Sequence, residues 1–435
     1  MFGLSLNTGE SKFEQKFNSY LLAKSFYSNS VRDDVSKIIE KVRKNGDQAV
    51  INATNQFDDR NVFNFEDLKV SKETIILSAN RVDKEILDAM LYSFERIVDF
   101  HQDQIKKIDL TFSNNSITRR VRALDSVAMY IPGGKASYPS TVLMATGPAR
   151  AAGVNKLILT SPWPGGSIND LTLAAAYIAG VEEVYSIGGV QAIAAFGIGT
   201  ESIPKVQKII GPGNQFVAEA KRQLYGEVGI DSIAGPSEIV VIADLESDPI
   251  TIAWDLMAQA EHDELASSIL ISSSQEIINE VNSLMKIEVP LLSRSNIIKT
   301  SLNSRGASIL VENIEQAVNL VNRIAPEHVH VVTKGASKDA DNIINAGLIL
   351  VGKDSANAFS DYVLGPSHIL PTAGSATYNS PLSVEDFIVH SSFVKLSSDS
   401  KIDDYDKFIA NTSILARAEG LTAHAISAEI RKKKD

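Results

Sequence analysis

The chain has 435 residues, of which 44% are hydrophobic and 22% charged, and its formal net charge is −11. This length exceeds what one hydrophobic core holds, so two or more domains are expected. The acidic balance argues against a broad nucleic-acid-binding face, although a small anion can still bind at loops and helix N-termini. The absence of cysteine excludes disulfides, thiolate metal sites and a cysteine nucleophile, so any metal must be held by His, Asp, Glu, Asn or Gln.

The N-terminal segment carries Glu10 and Glu14 where a secretory signal peptide would need an apolar stretch. Proline, glycine and aspartate interrupt the longest uncharged stretches, and none supplies the roughly 20 apolar residues that span a membrane. We therefore expect a cytoplasmic protein.

The region 30–110 is expected to be mainly helical. Within 31–47 the apolar residues recur at helical spacing, and within 86–105 they recur every four residues. Both segments are interpreted as structural support.

A different pattern begins near residue 125, where short apolar runs alternate with helical stretches. This alternation predicts a parallel sheet with helices on its faces. The predicted order is strand 156–160, helix 171–179, strand 184–187, helix 190–196, strand 206–210 and helix 215–224.

A second region of this kind starts at strand 238–243. A helix over 249–264 follows, with Asp248 as its N-cap and Pro249 at its first position. No internal repeat is detectable in the sequence, and the last 55 residues are expected to be mostly helical. The further predicted strands are 268–271, 328–332 and 348–351.

Four glycine-containing loops suggest a ligand crevice at the carboxyl ends of parallel strands. The segment 211–216 matches the dinucleotide fingerprint G-x-G-x-x-G only in part, because Phe216 stands where the third glycine should be. A tight turn that binds nothing is an equal alternative for this motif alone. The other loops are 130–135, 188–191 and 234–238.

Two pairs of polar residues have spacings that suit chemistry. Gln259 and His262 lie three apart on a predicted helix, which is metal-ligand spacing, although a plain polar pair at a helix end is common. Glu327 and His328 follow Pro326 at a loop–strand junction and could form a general acid/base pair. A surface Glu-His dipeptide is the alternative.

Two further segments each combine a carboxylate with an imidazole. Asp361 and His368 bound a stretch rich in turn residues, for which a structural loop is the alternative. Glu419 and His424 lie five apart in the C-terminal tail, a spacing that does not align them on one helix face, so a solvated face is the alternative. The isolated histidines His101 and His390 are interpreted as structural or exposed.

Taken together, these segments resemble the histidinol dehydrogenase family from about residue 20 to 430, in the family's order. Eight matching stretches in the family's order are far more specific than any single motif. The matching stretches are 130–144 (YIPGGKASYPSTVLM), 188–200 (GGVQAIAAFGIGT), 208–214 (KIIGPGN), 229–238 (GIDSIAGPSE), 255–263 (DLMAQAEHD), 325–328 (APEH), 360–372 (SDYVLGPSHILPT) and 423–425 (AHA).

The resemblance implies oxidation of L-histidinol to L-histidine through an aldehyde, with two NAD⁺ consumed and one zinc ion in each active site. His328 would take the alcohol proton, and Glu327 would activate the water that attacks the aldehyde. The implied zinc ligands are Gln259, His262, Asp361 and His424. The substrate would be contacted by the zinc ligands and His328, and also by Ser237, His368 and Glu419, which match further family positions there. Positions near the cofactor are matched by Tyr130, Gln191 and Asn214.

The resemblance also implies an α/β fold with two incomplete Rossmann-like parallel-sheet domains, plus small helical N- and C-terminal parts. The family is an intertwined homodimer whose tail donates residues across the interface, which would bring Glu419 and His424 to a site. The expected segments are a helical region 1–125, a cofactor-side domain 126–237, a domain 238–380 with the metal and acid/base residues, and a helical tail 381–435.

Local departures from the family pattern leave the substrate open. Ser360, Ser367 and the step Thr146-Gly147 differ from the usual residues, and 388–390 lacks a common basic pair. None of these changes removes a proposed ligand or the acid/base pair. The alternatives are a diverged relative that oxidises another polar alcohol such as a sulfopropanediol, a zinc hydrolase, and a non-catalytic binding protein.

Overall fold

The computed structural model describes residues 1–23, 29–108, 113–114, 117–133, 138–167, 169–396 and 405–432. Residues 134–137 of the motif 130–144 lie outside the described residues. The chain divides into two compact units, which are described separately. The first unit contains residues 1–105 and 123–387, and the second contains 106–122 and 388–435.

The elements are numbered here in chain order. The strands are β1 (Leu4–Asn7), β2 (Lys69–Val70), β3 (Ser113–Asn114), β4 (Ile117–Ala123), β5 (Ser126–Tyr130), β6 (Lys156–Thr160), β7 (Glu183–Tyr185), β8 (Lys208–Ile210), β9 (Gly229–Ile230), β10 (Glu238–Ala243), β11 (Ser267–Ser272), β12 (Ala307–Leu310), β13 (His328–Val331), β14 (Leu348–Val351) and β15 (Ile388–Val394). The α-helices are α1 (Phe13–Ala23), α2 (Asn29–Phe57), α3 (Lys72–Arg81), α4 (Lys84–Lys107), α5 (Pro139–Ala152), α6 (Asp170–Ile178), α7 (Gly189–Ile198), α8 (Gln215–Leu224), α9 (Pro249–Ala260), α10 (Gln275–Glu288), α11 (Ser295–Ser304), α12 (Ile314–Ile324), α13 (Ala336–Ala340), α14 (Asn357–Tyr362), α15 (Tyr405–Ala418) and α16 (Thr422–Glu429).

The first unit contains two six-stranded sheets with the same strand order. The first sheet runs β2-β7-β6-β5-β8-β9, and the second runs β1-β12-β11-β10-β13-β14. All neighbouring strands are parallel except β2, which pairs antiparallel with β7. In each sheet an edge strand, β2 or β1, comes first in the chain. The chain then enters at an inner strand, β5 or β10, adds two strands towards that edge strand, and returns to add two strands on the other side. The prediction of an α/β fold with parallel sheets is confirmed, and the repeat is structural although the sequence does not display it.

Helices cover both faces of each sheet, because the strands are apolar on both sides. Along β5, Ala128 and Tyr130 face the cluster that includes α2, α7 and α8, whereas Val127 and Met129 face α5 and α6. All six residues of β10 are buried between α12 on one side and α9 and α10 on the other. Burying one aliphatic side chain fully stabilises the folded state by roughly 1.5–3 kcal/mol. The helices packed on the two faces of each sheet therefore supply most of the stabilising core.

The α9 helix is shorter than the sequence predicted. It begins at Pro249, after the Asp248 side chain accepts a hydrogen bond from the Ile250 N–H at 2.9 Å, and it ends at Ala260 rather than at 264. Gln259 therefore lies in its last turn, while His262 lies in the turn beyond it. The expectation that both side chains project from one helix was wrong, because the chain leaves the helix before His262.

Short strands were missed where their residues pair with distant parts of the chain. β1 and β2 lie within the region expected to be helical, and each is an edge strand of a sheet. β12 and β5 were also not predicted.

Among the described helices, none combines the length and apolar character required to cross a membrane.

The described part of the last 55 residues contains the expected helices, α15 and α16, but it also contains the strand β15, which was not predicted. β15 forms a three-stranded sheet with β4 and β3 in the second unit. Its sequence, IVHSSFV, does not alternate apolar and polar residues, so no period-two pattern marks it as a strand, and its pairing partner lies far away in sequence. The four predicted segments remain a prediction about domain boundaries.

Candidate active site

A cavity of about 1690 Å³ lies within the first unit, between opposite edges of its two sheets. From the first sheet, the loops that follow β5, β7 and β8 line it at their carboxyl ends. From the second sheet, the residues that precede or begin β10 and β13 line it at their amino ends. The cavity brings together ten of the sequence-predicted site residues: Tyr130, Gln191, Asn214, Ser237, Gln259, His262, Glu327, His328, Asp361 and His368.

Three of the four glycine-containing loops lie at the carboxyl edge of the first sheet, as expected. The fourth, at 234–238, precedes β10 and therefore enters the cavity from the amino edge of the second sheet. The expectation of a single crevice at carboxyl ends is corrected accordingly. β5 and β8 start the two oppositely wound halves of the first sheet, and such a switch point is where ligands bind in open α/β sheets.

Gly211 must be glycine because its backbone approaches its neighbours closely. Its φ is +107°, and a Cβ atom there would lie 2.1 Å from the Tyr130 carbonyl oxygen. Its N–H donates to Asp231 Oδ2 at 2.8 Å, and its carbonyl accepts from Lys221 Nζ at 3.0 Å. Lys221 and Asp231 are themselves a buried ion pair, so the loop that opens with Gly211 is fixed from both sides.

The three residues expected near the cofactor have different local roles. Tyr130 Oη accepts a hydrogen bond from the Gly189 N–H at 3.2 Å, and burial raises the pKa of Tyr130 to about 12. Both amide atoms of Gln191 are buried and lack a hydrogen-bond partner among the described residues. Asn214 caps α8 by accepting from two backbone N–H groups, so its side-chain oxygen is already engaged.

Glu327 and His328 are anchored to the first residue of β10. The Glu238 N–H donates to Glu327 Oε2 at 2.8 Å, and His328 Nδ1 lies 3.1 Å from the Glu238 carbonyl oxygen. A carbonyl only accepts, so Nδ1 carries the proton and Nε2 is left as an acceptor. His328 Nε2 is buried without a hydrogen-bond partner in the described part of the chain.

Burial disfavours the charged form of both members of this pair. It raises the pKa of Glu327 well above 4.5, and the carboxylates of Glu238 and Asp361 raise it further. Burial also lowers the pKa of His328 to about 3, since an imidazolium would be poorly solvated there. Glu327 Oε2 and His328 Nδ1 are 3.6 Å apart. The pair thus offers a neutral imidazole acceptor beside a carboxyl group that is a stronger base than an exposed one.

Asp361 lies between two imidazoles. Its Oδ2 is 3.9 Å from His262 Nε2, and its Oδ1 is 3.9 Å from His368 Nδ1. His368 Nδ1 donates to the Asp361 carbonyl at 3.1 Å, while its Nε2 accepts from the Thr141 hydroxyl at 3.2 Å. Burial raises the pKa of Asp361 to about 7 and lowers that of His368 to about 4. The site therefore contains buried nitrogen and oxygen atoms whose bonding capacity the ion pairs within the site do not satisfy fully.

Gln259 stands beside this group with its amide only half satisfied. Its Oε1 accepts from Asn357 Nδ2 at 3.1 Å, and both Gln259 Nε2 and Asn357 Oδ1 are buried without partners. Turning both amides by 180° preserves a hydrogen bond between them, because the orphaned donor then meets the orphaned acceptor. Gln259 Oε1 would then take the present position of Nε2, and such amide orientations are assigned from hydrogen bonding.

The donor set suits a metal such as zinc but is incomplete in this unit. Among the described residues, no group of three or more His, Asp or Glu side chains is close enough to hold a metal ion. Gln259, His262 and Asp361 supply one amide, one imidazole and one carboxylate, which are ligand types that zinc accepts. The predicted fourth ligand, His424, lies in the second unit.

Glu419 and His424 are both exposed residues of that second unit. Glu419 follows α15, and His424 lies in the first turn of α16. His424 donates its backbone N–H to the Leu421 carbonyl at 3.1 Å. Their predicted roles stay predictions.

Sequence reasoning missed several polar residues around the cavity. Thr141 holds His368, and Asp58 lines the cavity with a buried carboxylate. His330 is buried two residues beyond His328, with Nδ1 2.6 Å from Asp255 Oδ2 and Nε2 2.8 Å from a backbone carbonyl. The alternation His-Val-His in a strand could have indicated His330, because residues two apart share a face. Asp58 offered no comparable signal.

The departures from the family pattern are internal to the fold. The Ser360 hydroxyl donates to the Asn357 carbonyl at 2.6 Å, and that of Ser367 donates to the Met144 carbonyl at 3.3 Å. Thr146 bonds to a carbonyl of its own helix. None of these three side chains lines the cavity.

Two parallel sheets, with a cluster of buried imidazole and carboxyl groups at the cavity between their edges, define an α/β protein with a candidate active site. The sequence model of the histidinol dehydrogenase family matches residues 23–432. The chain therefore belongs to the histidinol dehydrogenase family, whose members are oxidoreductases.

Individual relatives agree with this assignment. The chain is 42% identical over 429 residues to a histidinol dehydrogenase of Pseudomonas fluorescens, covering 98% of this chain and 96% of that protein. It is 45% identical over 402 residues to one of Clostridium acetobutylicum, covering 92% of each. The crystal structure of histidinol dehydrogenase from Elizabethkingia anophelis superposes with a TM-score of 0.90 at 30% identity, covering 98% of this chain and 97% of that one.

Proposed function

We propose that this protein oxidises L-histidinol to L-histidine through L-histidinal, with two NAD⁺ and one zinc ion per subunit, as the last step of histidine biosynthesis in the cytoplasm. The observation that carries the proposal is the meeting of the Glu327–His328 pair with Gln259, His262 and Asp361 at one cavity. Family membership across nearly the whole chain supports the substrate.

His328 acts as the first base in this proposal. Its Nδ1 proton is held by the Glu238 carbonyl, so the unpartnered Nε2 takes the proton of the alcohol. Bound NAD⁺ would supply the hydride acceptor, and loss of the hydroxyl proton and of a hydride from the carbinol carbon leaves the aldehyde. A neutral imidazole is the form required, and burial maintains it.

Glu327 acts in the second half. An aldehyde carbon must gain a hydroxyl group before it can give up a second hydride on the way to an acid. The Glu327 carboxylate removes a proton from the water that attacks the carbonyl, and the hydrated carbon then releases hydride. The raised pKa of Glu327 strengthens it as a base for this step.

Gln259, His262 and Asp361, with His424 of the tail, would hold the zinc ion. When bound, zinc supplies a Lewis acid that can hold the imidazole and amine nitrogens of histidinol. The orphaned amide of Gln259 and the raised pKa of buried Asp361 support this assignment, because both groups lack the partner that a cation would provide. His424 and Glu419 would serve across an intertwined homodimer.

The remaining residues position the two substrates. Ser237, His368 and Glu419 would contact histidinol, whereas Tyr130, Gln191 and Asn214 would contact NAD⁺. The departures at Ser360, Ser367 and Thr146 lie outside the cavity lining, which favours histidinol over the sulfopropanediol alternative.

The test is a steady-state assay of NADH formation with L-histidinol, before and after chelation and after zinc is added back. We expect about two NADH per histidinol, with activity lost on chelation and restored by zinc. NADH formation with another polar alcohol but not with histidinol would favour the diverged relative. Absence of NAD⁺ binding at millimolar concentration would favour the hydrolase.

A further inference from the structure

Asp58 is a buried carboxylate that none of the roles above uses. It follows α2 directly and lines the cavity, and the residue is only 8% exposed. Its Oδ2 atom is buried and has no hydrogen-bond partner among the described residues. Because an unsatisfied buried carboxylate is costly, such a group points to a ligand that supplies hydrogen-bond donors.

The backbone fixes Asp58 in place before any ligand binds. Asp59 adopts a left-handed conformation with φ of 49°, which turns the chain sharply after α2. The Gly165 N–H donates to the Asp58 carbonyl at 2.8 Å. Arg60 donates to the carbonyl and hydroxyl oxygens of Ser186 at 3.0 and 2.7 Å. Burial raises the pKa of Asp58, and the charge of Arg60 offsets part of that rise.

Asp58 lies near the residues expected at the cofactor. Its carboxylate is close enough to Tyr130 to contribute to the raised pKa of that phenol. Tyr130 in turn bonds to the N–H of Gly189, two residues before Gln191. Gln191 lines the same cavity with both amide atoms unpartnered. A buried carboxylate and an amide without a partner among the described residues thus line the same cavity, each linked to the surroundings of Tyr130.

The acidic residue that usually binds a ribose in a Rossmann unit is already used here. That residue follows the strand after the glycine loop, about 20 positions on. Asp231 occupies this position, 20 residues after Gly211 and just past β9. However, its two oxygens are paired with the Gly211 N–H and with Lys221 inside the fold. A ribose must therefore find its acceptor elsewhere.

We propose that Asp58, together with Gln191, forms a subsite for a ribose diol of the dinucleotide. The carboxylate accepts hydrogen bonds from the two neighbouring hydroxyl groups, and the Gln191 amide can donate or accept beside it. This inference rests on the proposed use of NAD⁺. The diol belongs either to the adenosine ribose, in which case Asp58 also repels the 2′-phosphate of NADP⁺, or to the nicotinamide ribose.

The test measures binding of NAD⁺ by calorimetry to the wild-type protein and to Asp58→Asn. We expect the variant to bind NAD⁺ about 10–100-fold more weakly, the range for loss of hydrogen bonds to a charged group. Asp34→Asn is the matched control. Asp34 lies on α2 and also lines the same cavity, but its carboxylate is exposed and accepts a hydrogen bond from Lys37 Nζ. The control should change binding by less than about twofold, because an exposed ion pair contributes little.

Fragments of the dinucleotide identify which ribose is bound. If it is the adenosine ribose, Asp58→Asn weakens ADP, and wild-type protein binds 2′-deoxy-ADP as weakly as the variant binds ADP. If it is the nicotinamide ribose, the variant weakens nicotinamide mononucleotide only. The comparison of ADP with 2′-deoxy-ADP needs no variant, so it holds even if Asp58→Asn unfolds.

Two negative outcomes are distinguishable. Wild-type protein that binds NAD⁺, with Asp58→Asn binding NAD⁺ and both fragments equally well, overturns the diol subsite alone. Wild-type protein that binds no NAD⁺ overturns the proposed function together with this inference.

Discussion

The two sheets of the first unit share one strand order but present opposite edges to the cavity. The first sheet contributes its carboxyl edge, where glycine-containing loops line the cavity. The second contributes its amino edge, where Glu327 and His328 begin or adjoin β13. Equivalent central strands, β5 and β8 in one sheet and β10 and β13 in the other, therefore serve different purposes.

The difference between these edges is electrostatic. At the second sheet, burial drives the pKa values of Glu327, His328, Asp361 and His368 far from their ordinary values. At the first sheet, Asp231 beside the Gly211 loop forms a buried ion pair with Lys221. Backbone loops suit the binding of a ligand, whereas perturbed titratable groups suit proton transfer. The comparison predicts that substitutions at the amino edge of the second sheet alter the rate of the chemical steps. Substitutions at the carboxyl edge of the first sheet should instead alter dinucleotide binding.

The largest effect is expected from Glu327→Gln at the second sheet. The variant keeps an oxygen that can accept from the Glu238 N–H but loses the base that activates water. Single-turnover kinetics should show the aldehyde step slowed by about 10²–10⁴-fold, the usual contribution of a general base. The alcohol step and the affinity for NAD⁺ should change much less. Equal losses in both half-reactions would contradict the role given to Glu327.

Loss of metal is the next expected effect, and it again concerns the second sheet. His262→Asn and Asp361→Asn should each abolish stoichiometric zinc binding, as measured by elemental analysis after dialysis. Asn357→Leu removes the partner that orients Gln259 and should weaken zinc by about 10–100-fold, the usual cost of losing a residue behind a ligand. Thr300→Ala is the control, because its hydroxyl bonds only within α11. Full zinc content in both ligand variants would refute the ligand assignment.

Gly211→Ala tests the first sheet. A Cβ atom must displace the Tyr130 carbonyl, so we expect destabilisation of about 1–3 kcal/mol and a raised KM for NAD⁺ with zinc content unchanged. Gly226→Ala is the matched control, since Gly226 has a similar φ of +105° but nothing within 4 Å of the added atom. The control should be destabilised by strain without a change in KM. Identical KM values for NAD⁺ in both variants would remove the distinction between the two edges.

The smallest expected effect is on the pH dependence of stability in the metal-free protein. Glu327 has a folded pKa raised well above 4.5, so the folded state holds its proton to a higher pH than the unfolded chain does. Stability therefore falls as pH rises from about 4.5 towards the folded pKa, at about 1.4 kcal/mol per pH unit.

Glu327→Gln removes the fall in stability that Glu327 causes as pH rises, because glutamine does not titrate. Its melting temperature should exceed that of the wild-type protein by about 2 °C or more at pH 8, and the gap should close as pH falls towards 4.5. A gap that does not vary with pH would mean that Glu327 is ionised in the folded protein.

Much of the fold was predictable where local pattern and tertiary role agree. The bounds of β6, β10, β14 and α8 were predicted to the residue, since apolar runs and turn residues delimit them. β1 and β2 were missed, because short edge strands acquire their structure only by pairing with distant strands. β15 was missed for the same reason, as it pairs within a sheet that joins residues far apart in sequence.

The sequence by itself determined the family, the two parallel sheets and ten residues that meet at the cavity, because motifs of several residues fix both identity and local conformation. Only the tertiary structure decided that the site lies between a carboxyl edge and an amino edge. It also decided that Asp231 is hydrogen-bonded to its own loop and that one carboxylate oxygen of Asp58 is buried without a hydrogen-bond partner among the described residues. The physical reason is that burial and hydrogen-bond partners, which determine whether a carboxylate is available, arise from contacts between residues distant in sequence.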